Sequence, residues 1–333
     1  MTALTLVTGG AGFIGSHLVR ALVAQNVRVR VLDNLATGAW DNLGDALPHV
    51  ETWERDLRDA DVCRQACADV DTVYHLAALG SVPRSVEDPL TTNAVNVDGT
   101  LHILDAARRA NVRRVIFSSS SSVYGDTPVL PKHESMRPNP RSPYAASKLA
   151  GEEYCRAFAR TYGLETVILR YFNVFGPRQS PHSAYAAVLP RFVTALLSGA
   201  RPVLHGDGEQ SRDFTFVENV VAANLLAAQA EGVTGEIFNI ACGEQITVRA
   251  MLDTVAQFLQ CPPNPLFEPT RAGDVRHSRA DIEAACARLG YRPGIGFAAG
   301  LAQTLPWYVA NALPSHDVPP SADSSVLNFE SAV

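Results

Sequence analysis

The sequence predicts an α/β fold, in which a doubly wound parallel sheet is followed by a smaller α/β substrate lobe toward the C-terminus. Three observations support this class. Short apolar strands alternate with longer helical patterns through the first half of the chain. A glycine-rich turn joins the first strand to the first helix. After Asn173 the alternation stops, and loop-rich sequence with several Pro and Gly follows.

The strands are identified from apolar runs bounded by turn residues. The first, LTLVTG, is followed by a helix from Phe13 to Gln25 and by the strand VRVRVLD. Three later runs, TVYHLAA, RRVIFSSS and ETVILRYFN, are apolar enough to be parallel strands covered on both faces. Because strands and helices alternate strictly, we expect right-handed crossovers and a ligand site at the carboxyl ends of the strands.

The domain limits follow from the same pattern. Residues 1–173 should form the sheet domain, and a segment at about 215–242 should return one strand, EIFNIAC, to it. Residues 174–214 and 243–313 should form the second lobe, with helices at Thr247–Leu259 and Phe297–Ala312. Residues 314–333 are polar and rich in Pro, Ser and Asp, which predicts a disordered tail.

Composition excludes several classes of function. The formal net charge is −6 and the chain has no Lys/Arg cluster, so nucleic acid is not an expected partner. The six cysteines are scattered without CxxC spacing, which favours free thiols in a reducing compartment over disulfides or a metal site. No apolar run reaches the roughly 18 residues of a membrane span. We therefore expect a cytoplasmic protein.

The glycine-rich turn VTGGAGFIGSHL indicates a dinucleotide site. Gly9, Gly12 and Gly15 lie between a strand and a helix, where glycine permits a tight turn and lets the backbone approach a pyrophosphate at the helix N-terminus. Asp33 ends the second strand, 18 residues after Gly15, where a carboxylate can bind the ribose 2′-hydroxyl and repel a 2′-phosphate. The pattern predicts a Rossmann-type NAD site; a helix-capping turn beside a solvated Asp33 is the alternative.

Tyr144 and Lys148 lie four residues apart in SPYAASK and share one face if Ser142–Tyr162 is a helix. A free phenol, with a pKa of about 10, is a poor base at neutral pH. A neighbouring ammonium and a positively charged nicotinamide both favour the phenolate. Such a phenolate can take the proton of a sugar hydroxyl while hydride leaves for the cofactor. An isolated Tyr-x-x-x-Lys is usually a packed tyrosine beside a solvated lysine. The prediction of a catalytic pair therefore depends on the position of this motif after the fifth strand.

Together these motifs resemble the extended short-chain dehydrogenase/reductase superfamily, and specifically its nucleotide-sugar C4 epimerases. The resemblance rests on TGGAGFIG, LDNL, SSSSSVYGD, SPYAASK, LRYFNVFGPRQ, GDGEQSRDF and RAGDVRHSRAD, in this order, and extends to Tyr308. It implies that Ser120, Tyr144 and Lys148 form the catalytic triad. It also implies a homodimer in which Pro89–Asn111 and Ser142–Tyr162 of each subunit form a four-helix bundle.

The resemblance further implies two sets of binding residues. The NAD site comprises Gly9, Gly12, Phe13, Ile14, Gly15, Asp33, Asn34, Asp56, Leu57, Ala77, Ala78, Asn96, Tyr144, Lys148 and Tyr171. The substrate site comprises Gly80, Ser81, Ser122, Asn173, Gln179, Ala187, Val188, Arg212, Arg271, Asp274 and Ser278. Within it, Asn173, Arg212 and Arg271 are implied to hold the pyrophosphate.

The implied activity is C4 epimerisation of a UDP-hexose. Ser278 stands where relatives restricted to glucose carry a tyrosine, so its small side chain favours UDP-GlcNAc and UDP-GalNAc, with UDP-glucose and UDP-galactose as further candidates. A dehydratase or decarboxylase is the nearest alternative, but Ser121 and Ser122 stand where those relatives carry acids. A protein that binds NAD or a sugar nucleotide without catalysis is the other alternative.

Overall fold

The computed structural model describes residues 3–180, 188–270 and 276–311 of the 333-residue chain. Its strands are β1 (Leu4–Thr8), β2 (Arg28–Asp33), β3 (Val50–Glu54), β4 (Val70–His75), β5 (Arg114–Ser120), β6 (Glu165–Tyr171), β7 (Val174–Phe175), β8 (Val203–His205), β9 (Ser211–Arg212), β10 (Thr215–Phe216), β11 (Glu236–Ile240), β12 (Ile246–Thr247) and β13 (Leu266–Glu268).

The helices connect and cover these strands. They are α1 (Phe13–Ala24), α2 (Ala60–Ala66), α3 (Val82–Glu87), α4 (Pro89–Asn93), α5 (Gly99–Arg109), α6 (Pro143–Tyr162), α7 (Val188–Leu197), α8 (Val217–Gln229), α9 (Val248–Phe258), α10 (Glu283–Leu289) and α11 (Phe297–Asn311). Trp40–His49 and Ser121–Tyr124 are 3₁₀ segments, and Ala94–Asp98 is a π-helical turn.

Seven strands form one parallel sheet in the order β11-β6-β5-β4-β1-β2-β3. The strand order reverses between β1 and β4. The connections that follow these two strands therefore run in opposite directions, which leaves a crevice at the carboxyl ends of the strands. The predicted doubly wound α/β fold is confirmed. β11 follows α8 in the chain and pairs with β6 at the edge of the sheet.

Two apolar layers cover the sheet. On one face α1, α8 and α10 pack against side chains such as Val7, Ile116 and Leu169. On the other face α2, α5 and α6 pack against their sequence neighbours, such as Leu6, Val115 and Ile168. This alternation explains why the strands read as continuous apolar runs. A third cluster, formed largely by α7, α9 and α11 with β10, makes the core of the second lobe.

Most element limits lie within a few residues of those predicted, and two differences have local causes. The strand predicted to reach Asn173 ends at Tyr171, because Asn173 has a φ of +31° and its amide donates to the carbonyl of Asp213 at 3.1 Å. The helical segment predicted at Pro89–Asn111 contains the π-helical turn Ala94–Asp98. A single π turn inside a helix is frequent at functional sites.

Helix α6 begins as the sequence suggests. The hydroxyl of Ser142 accepts the backbone N–H of Ala145 at 3.1 Å, Pro143 occupies the first helical turn, and Gly163 ends the helix with a φ of +72°. A serine cap and an N-terminal proline both favour a helix start. The local sequence therefore sets where Tyr144 lies along the chain, one residue after the helix begins.

A buried ion pair joins α6 to the sheet. The Arg170 guanidinium on β6 donates to both carboxylate oxygens of Glu152 at 2.8 and 2.6 Å, and the two side chains are 2% and 0% exposed. The Ser119 hydroxyl on β5 also donates to Glu152. Removal of one partner leaves an uncompensated buried charge.

We therefore predict that Glu152→Gln lowers the free energy of unfolding by about 3–5 kcal/mol, measured by urea titration. Glu153→Gln is the matched control, because Glu153 pairs with Arg156 on the exposed side of the same helix and should cost less than about 1 kcal/mol. Similar small losses in both variants would show that the buried pair does not anchor α6.

Candidate active site

A cleft of about 1010 Å³ opens at the carboxyl ends of the sheet, between the sheet and the second lobe. The turn after β1 and the ends of β2, β4 and β5 form one side. Residues from the second lobe, including Arg212 and Ser278, form the other. The cleft therefore lies at the point where the strand order reverses, as expected for a doubly wound sheet.

The glycine-rich turn brings backbone to the floor of this cleft. Gly9 has a φ of +70°, and a Cβ there would lie 2.7 Å from the amide nitrogen of Ala77. The N–H of Gly12 donates to the carbonyl of Gly9 at 3.1 Å, and Gly12 then caps α1. Gly12, Phe13 and Ile14 line the cleft, so the N-terminus of α1 faces it. This arrangement suits a pyrophosphate group.

Asp33 lies beside this turn. One carboxylate oxygen accepts the N–H of Ala11 at 2.9 Å and the other accepts the N–H of Leu35 at 2.8 Å. Burial raises the pKa of Asp33, and the two backbone N–H groups act in the opposite direction. Because each oxygen retains a lone pair, the carboxylate fits the two hydroxyls of a ribose. The residues present therefore fit a dinucleotide with a free 2′-hydroxyl.

The tyrosine, lysine and serine of the predicted triad meet at the end of β5. The hydroxyl of Ser120 lies close enough to the phenol of Tyr144 to influence its pKa. The same Ser120 hydroxyl accepts the N–H of Ser122 at 3.2 Å and caps the following 3₁₀ turn. The Lys148 ammonium lies one helical turn beyond Tyr144, is 4% exposed, and donates to the carbonyl of Ser118 at 2.8 Å.

Burial is the largest influence on the pKa values of both Tyr144 and Lys148. Burial raises the pKa of Tyr144, and the nearby Ser120 hydroxyl acts against this rise. Burial lowers the pKa of Lys148 to about 8, although Glu152 opposes the change. The Lys148 ammonium donates to the Ser118 carbonyl, and the lowering of the Tyr144 pKa by Lys148 together with a bound nicotinamide stays a prediction. Ser120 is the group that favours the phenolate here.

Asn96 stabilises one wall of the cleft by hydrogen bonds to two neighbouring segments. It lies in the π-helical turn, is 2% exposed, and its amide accepts the N–H of Leu79 at 2.8 Å and donates to the hydroxyl of Ser147 at 3.0 Å. Leu79 lines the cleft, and Ser147 lies on α6 next to Lys148. Asn96 therefore ties the loop after β4 to α6.

The cleft gathers most of the predicted site residues. Those lining it from the cofactor set are Gly9, Gly12, Phe13, Ile14, Gly15, Asp33, Asn34, Asp56, Leu57, Ala77, Ala78, Tyr144, Lys148 and Tyr171. Those from the substrate set are Gly80, Ser81, Ser122, Asn173, Gln179, Arg212 and Ser278. Val188 lines an adjoining cavity of about 310 Å³ that shares Asn173 and Arg212 with the cleft. Ala187, Arg271 and Asp274 lie outside the residues that the structure describes.

Five cationic residues of the cleft were not predicted from the sequence: Arg55, Arg58, Arg84, Lys132 and Arg141. Each lies in a loop, a short helix or an irregular segment, where no periodicity shows which way a side chain points. A signal existed for Lys132, because lysine is scarce in this chain. Among the residues described, no group of three or more His, Cys, Asp or Glu could hold a metal ion.

The sequence profile of the NAD dependent epimerase/dehydratase family matches residues 5–241. The chain belongs to this family. The predicted membership of the extended short-chain dehydrogenase/reductases is confirmed, and NAD is the cofactor of the protein. The glycine-rich turn and Asp33 are the residues of this chain that fit it.

Relatives within the family are similar over almost the whole chain. The UDP-glucose 4-epimerase of Mycolicibacterium smegmatis is 41% identical, with 91% of this chain and 98% of the relative covered. A dTDP-glucose 4,6-dehydratase from an Actinoplanes species is 35% identical, with 92% and 98% covered. An epimerase and a dehydratase are thus both similar to this chain over nearly its whole length, so similarity alone does not separate epimerisation from dehydration.

Solved structures of epimerases superimpose closely on this chain. The UDP-N-acetylglucosamine 4-epimerase from Methanobrevibacter ruminantium, in complex with UDP-N-acetylmuramic acid, has a TM-score of 0.89 and 41% identity, covering 93% of this chain and 99% of its own. The Thermus thermophilus UDP-glucose 4-epimerase, in complex with NAD, has a TM-score of 0.84 and 37% identity, covering 92% and 99%. The protein is accordingly an enzyme of the isomerase class, as predicted.

We predict that Asp33→Asn weakens NAD binding about tenfold and reduces the preference over NADP, because the variant loses the charge that favours ribose hydroxyls and repels a 2′-phosphate. Calorimetric titration with each dinucleotide measures both effects. Asp59→Asn is the control, because Asp59 caps α2 away from the cleft and asparagine can cap equally well. Unchanged discrimination in Asp33→Asn would contradict the assignment.

Proposed function

We propose that this enzyme interconverts the C4 epimers of a UDP-hexose through a 4-keto intermediate. UDP-GlcNAc and UDP-GalNAc are the proposed main pair, and UDP-glucose and UDP-galactose are also accepted. The proposal is supported by the cleft chemistry described below and by the epimerases among the relatives. A dehydratase or decarboxylase of the same family is the competing function.

The main support for epimerisation is the position of the carboxylates in the cleft. Asp33 and Asp56 are the acidic residues among the described residues that line it; Asp33 ends β2 and Asp56 follows β3, both at the cofactor end. Beside Tyr144 the cleft presents hydroxyls instead, including Ser121 and Ser122 in the 3₁₀ turn after β5. Elimination of water from the sugar needs an acid and a base of its own. This site favours oxidation and reduction at one carbon.

The chain's own residues supply binding and proton transfer. Ser120 and Tyr144 lie close together in the cleft lining, so a sugar hydroxyl that contacts both is held within reach of the phenol oxygen. Tyr144 takes the proton of the C4 hydroxyl as the C4–H bond breaks, and gives it back when that bond re-forms on the other face. NAD, held by the glycine-rich turn and Asp33, would supply the acceptor and donor of the C4 hydride. Lys148 keeps the end of β5 in place through the Ser118 carbonyl.

The preference for an N-acetylated sugar is supported by small side chains at the substrate end. Ser278 is 6% exposed, lines the cleft, and is held by its backbone N–H, which donates to the carbonyl of Ser211 at 3.0 Å. Gly80 and Ser81 lie across from the second lobe in the loop after β4, and an added Cβ at Gly80 would meet no atom within 4 Å. Such positions leave room for an acetamido group.

Assembly and location remain predictions. No helix among the described residues is long and apolar enough to cross a membrane. Val86 and Leu90, on α3 and α4, are 66% and 82% exposed, and these helices pack beside α6. An exposed apolar surface at this place supports the homodimer with a four-helix bundle that the family resemblance implies.

We predict that the protein, incubated separately with UDP-GlcNAc and UDP-glucose, converts each to its C4 epimer without a change of mass. NMR follows the C4 configuration, and mass spectrometry distinguishes epimerisation from loss of water or carbon dioxide. Tyr144→Phe is the control, because it removes the proton carrier while leaving the ring; it should bind NAD normally and lose activity by about 100-fold or more. A dehydrated or decarboxylated product, or full activity in Tyr144→Phe, would contradict the proposal.

We predict that Ser278→Tyr lowers kcat/KM for UDP-GlcNAc by at least about tenfold while largely keeping activity toward UDP-glucose, because the larger ring occupies the space of the acetamido group. Steady-state kinetics with the two substrates measure this ratio. Ser278→Ala keeps the site small and should retain both activities. Equal losses with both substrates in Ser278→Tyr would show that Ser278 does not select the sugar.

A further inference from the structure

The chain contains two lysines. Of its 28 basic residues other than histidine, 26 are arginines, and the two lysines are Lys132 and Lys148. Both are buried, at 1% and 4% exposure, and both line the cleft. Arginine replaces lysine readily on a surface, but its planar guanidinium does not replace a compact ammonium at a confined contact. Lys148 belongs to the triad, whereas Lys132 has no role in the site described so far.

The position of Lys132 is fixed by its backbone. Its N–H donates to the carbonyl of Arg279 at 2.8 Å, and its carbonyl accepts the N–H of Asp281 at 2.8 Å and the amide of Asn239 at 2.9 Å. Lys132 also forms a parallel bridge with Ala280. These contacts hold it next to the segment that carries Ser278, at the substrate end of the cleft.

The ammonium itself has few partners. Nζ donates to the carbonyl of Gly125 at 3.2 Å and lies 5.9 Å from the ring centre of Tyr124. In the part of the chain that the structure describes, no carboxylate lies within 4 Å of it; the nearby Asp126 pairs with Arg141 at 3.6 Å. Burial lowers the pKa of Lys132. An ammonium has three N–H donors, so a buried one with a single carbonyl acceptor is poorly compensated.

A second unsatisfied group lies in the same turn. The Ser122 hydroxyl is buried in the cleft wall without a hydrogen-bond partner among the described atoms. Its backbone carbonyl accepts the N–H of Gly125, the residue whose own carbonyl receives Lys132. Arg212 is near enough for its charge to oppose protonation of Lys132. Asp126 acts in the opposite direction and favours the ammonium.

We propose that Lys132 is a substrate-binding residue whose ammonium contacts an anionic oxygen of the sugar nucleotide. The oxygen comes either from the diphosphate or from a carboxylate on the hexose, and both would neutralise the cations that face this end of the cleft. In the second case the enzyme also takes UDP-hexuronic acids. The inference rests on the proposed function in that its ligand is a sugar nucleotide.

The test measures binding to the NAD-loaded enzyme by calorimetry, with UDP, UDP-GlcNAc and UDP-glucuronic acid. Lys132→Met removes the ammonium and keeps the length of the side chain; Lys132→Gln also removes the charge but can still donate to the Gly125 carbonyl. Arg114→Met is the control, because it removes a buried cation at the opposite end of β5, where Arg114 pairs with Glu165.

We expect both Lys132 variants to bind about tenfold more weakly, as the loss of a hydrogen bond to a charged group implies. An equal loss with all three ligands identifies the diphosphate, and a loss confined to UDP-glucuronic acid identifies the carboxylate. Unchanged binding in Lys132→Met, full recovery in Lys132→Gln, or a loss confined to UDP-GlcNAc overturns the proposal. Arg114→Met should bind all three as the unaltered enzyme does.

A second measurement uses the unaltered protein, in case the variants do not fold. Reductive methylation with formaldehyde has two side-chain targets in this chain, and peptide mass spectrometry separates them. UDP or UDP-glucuronic acid should protect Lys132, whereas equal labelling with and without both ligands overturns the proposal. An enzyme that binds UDP but epimerises neither test sugar nucleotide would contradict the proposed function alone.

Discussion

The active site depends on how one stripe of α6 contacts the end of β5. Tyr144, Lys148 and Glu152 are spaced at four residues and therefore share one face of the helix. The Tyr144 phenol lies near Ser120, Lys148 donates to the carbonyl of Ser118, and Glu152 accepts the hydroxyl of Ser119.

The buried pair of Glu152 with Arg170 anchors this stripe to the neighbouring strand β6. A pair excluded from water tolerates little misalignment, since each charge depends on its partner. The rotation of α6 about its axis is fixed in this way, and with it the position of the Tyr144 phenol near Ser120.

Much of this could be predicted from the sequence because the signals are local. The glycine turn, Asp33 and the Tyr144–Lys148 spacing each occupy a short segment whose structure follows from neighbouring residues. The alternation of strands and helices then places their ends on one side of the sheet. The fold class and most of the cleft lining therefore follow from short-range patterns in the sequence.

Other features depend on contacts between distant segments. The direction of the Lys148 ammonium is set by the backbone of β5, 30 residues away, and the role of Asn96 depends on Leu79 and Ser147. The π turn at Ala94–Asp98 interrupts a pattern that reads as a regular helix. Lys132 lies in an irregular segment whose position is defined by pairing with residues near 280. Such contacts between distant segments leave no periodic pattern in the sequence.

The path of the chain constrains how the cleft can change shape. After β6 the chain enters the second lobe, returns through α8 and β11 to complete the sheet, and then leaves again toward α9 and α11. Three separate connections therefore join the two halves, and the pairing of β10 with β7 ties the first two together. A wide hinge rotation requires few connections that can bend together. Entry and release of a ligand should accordingly proceed by small sliding movements of the rim, while the sheet and the lobe core stay in register.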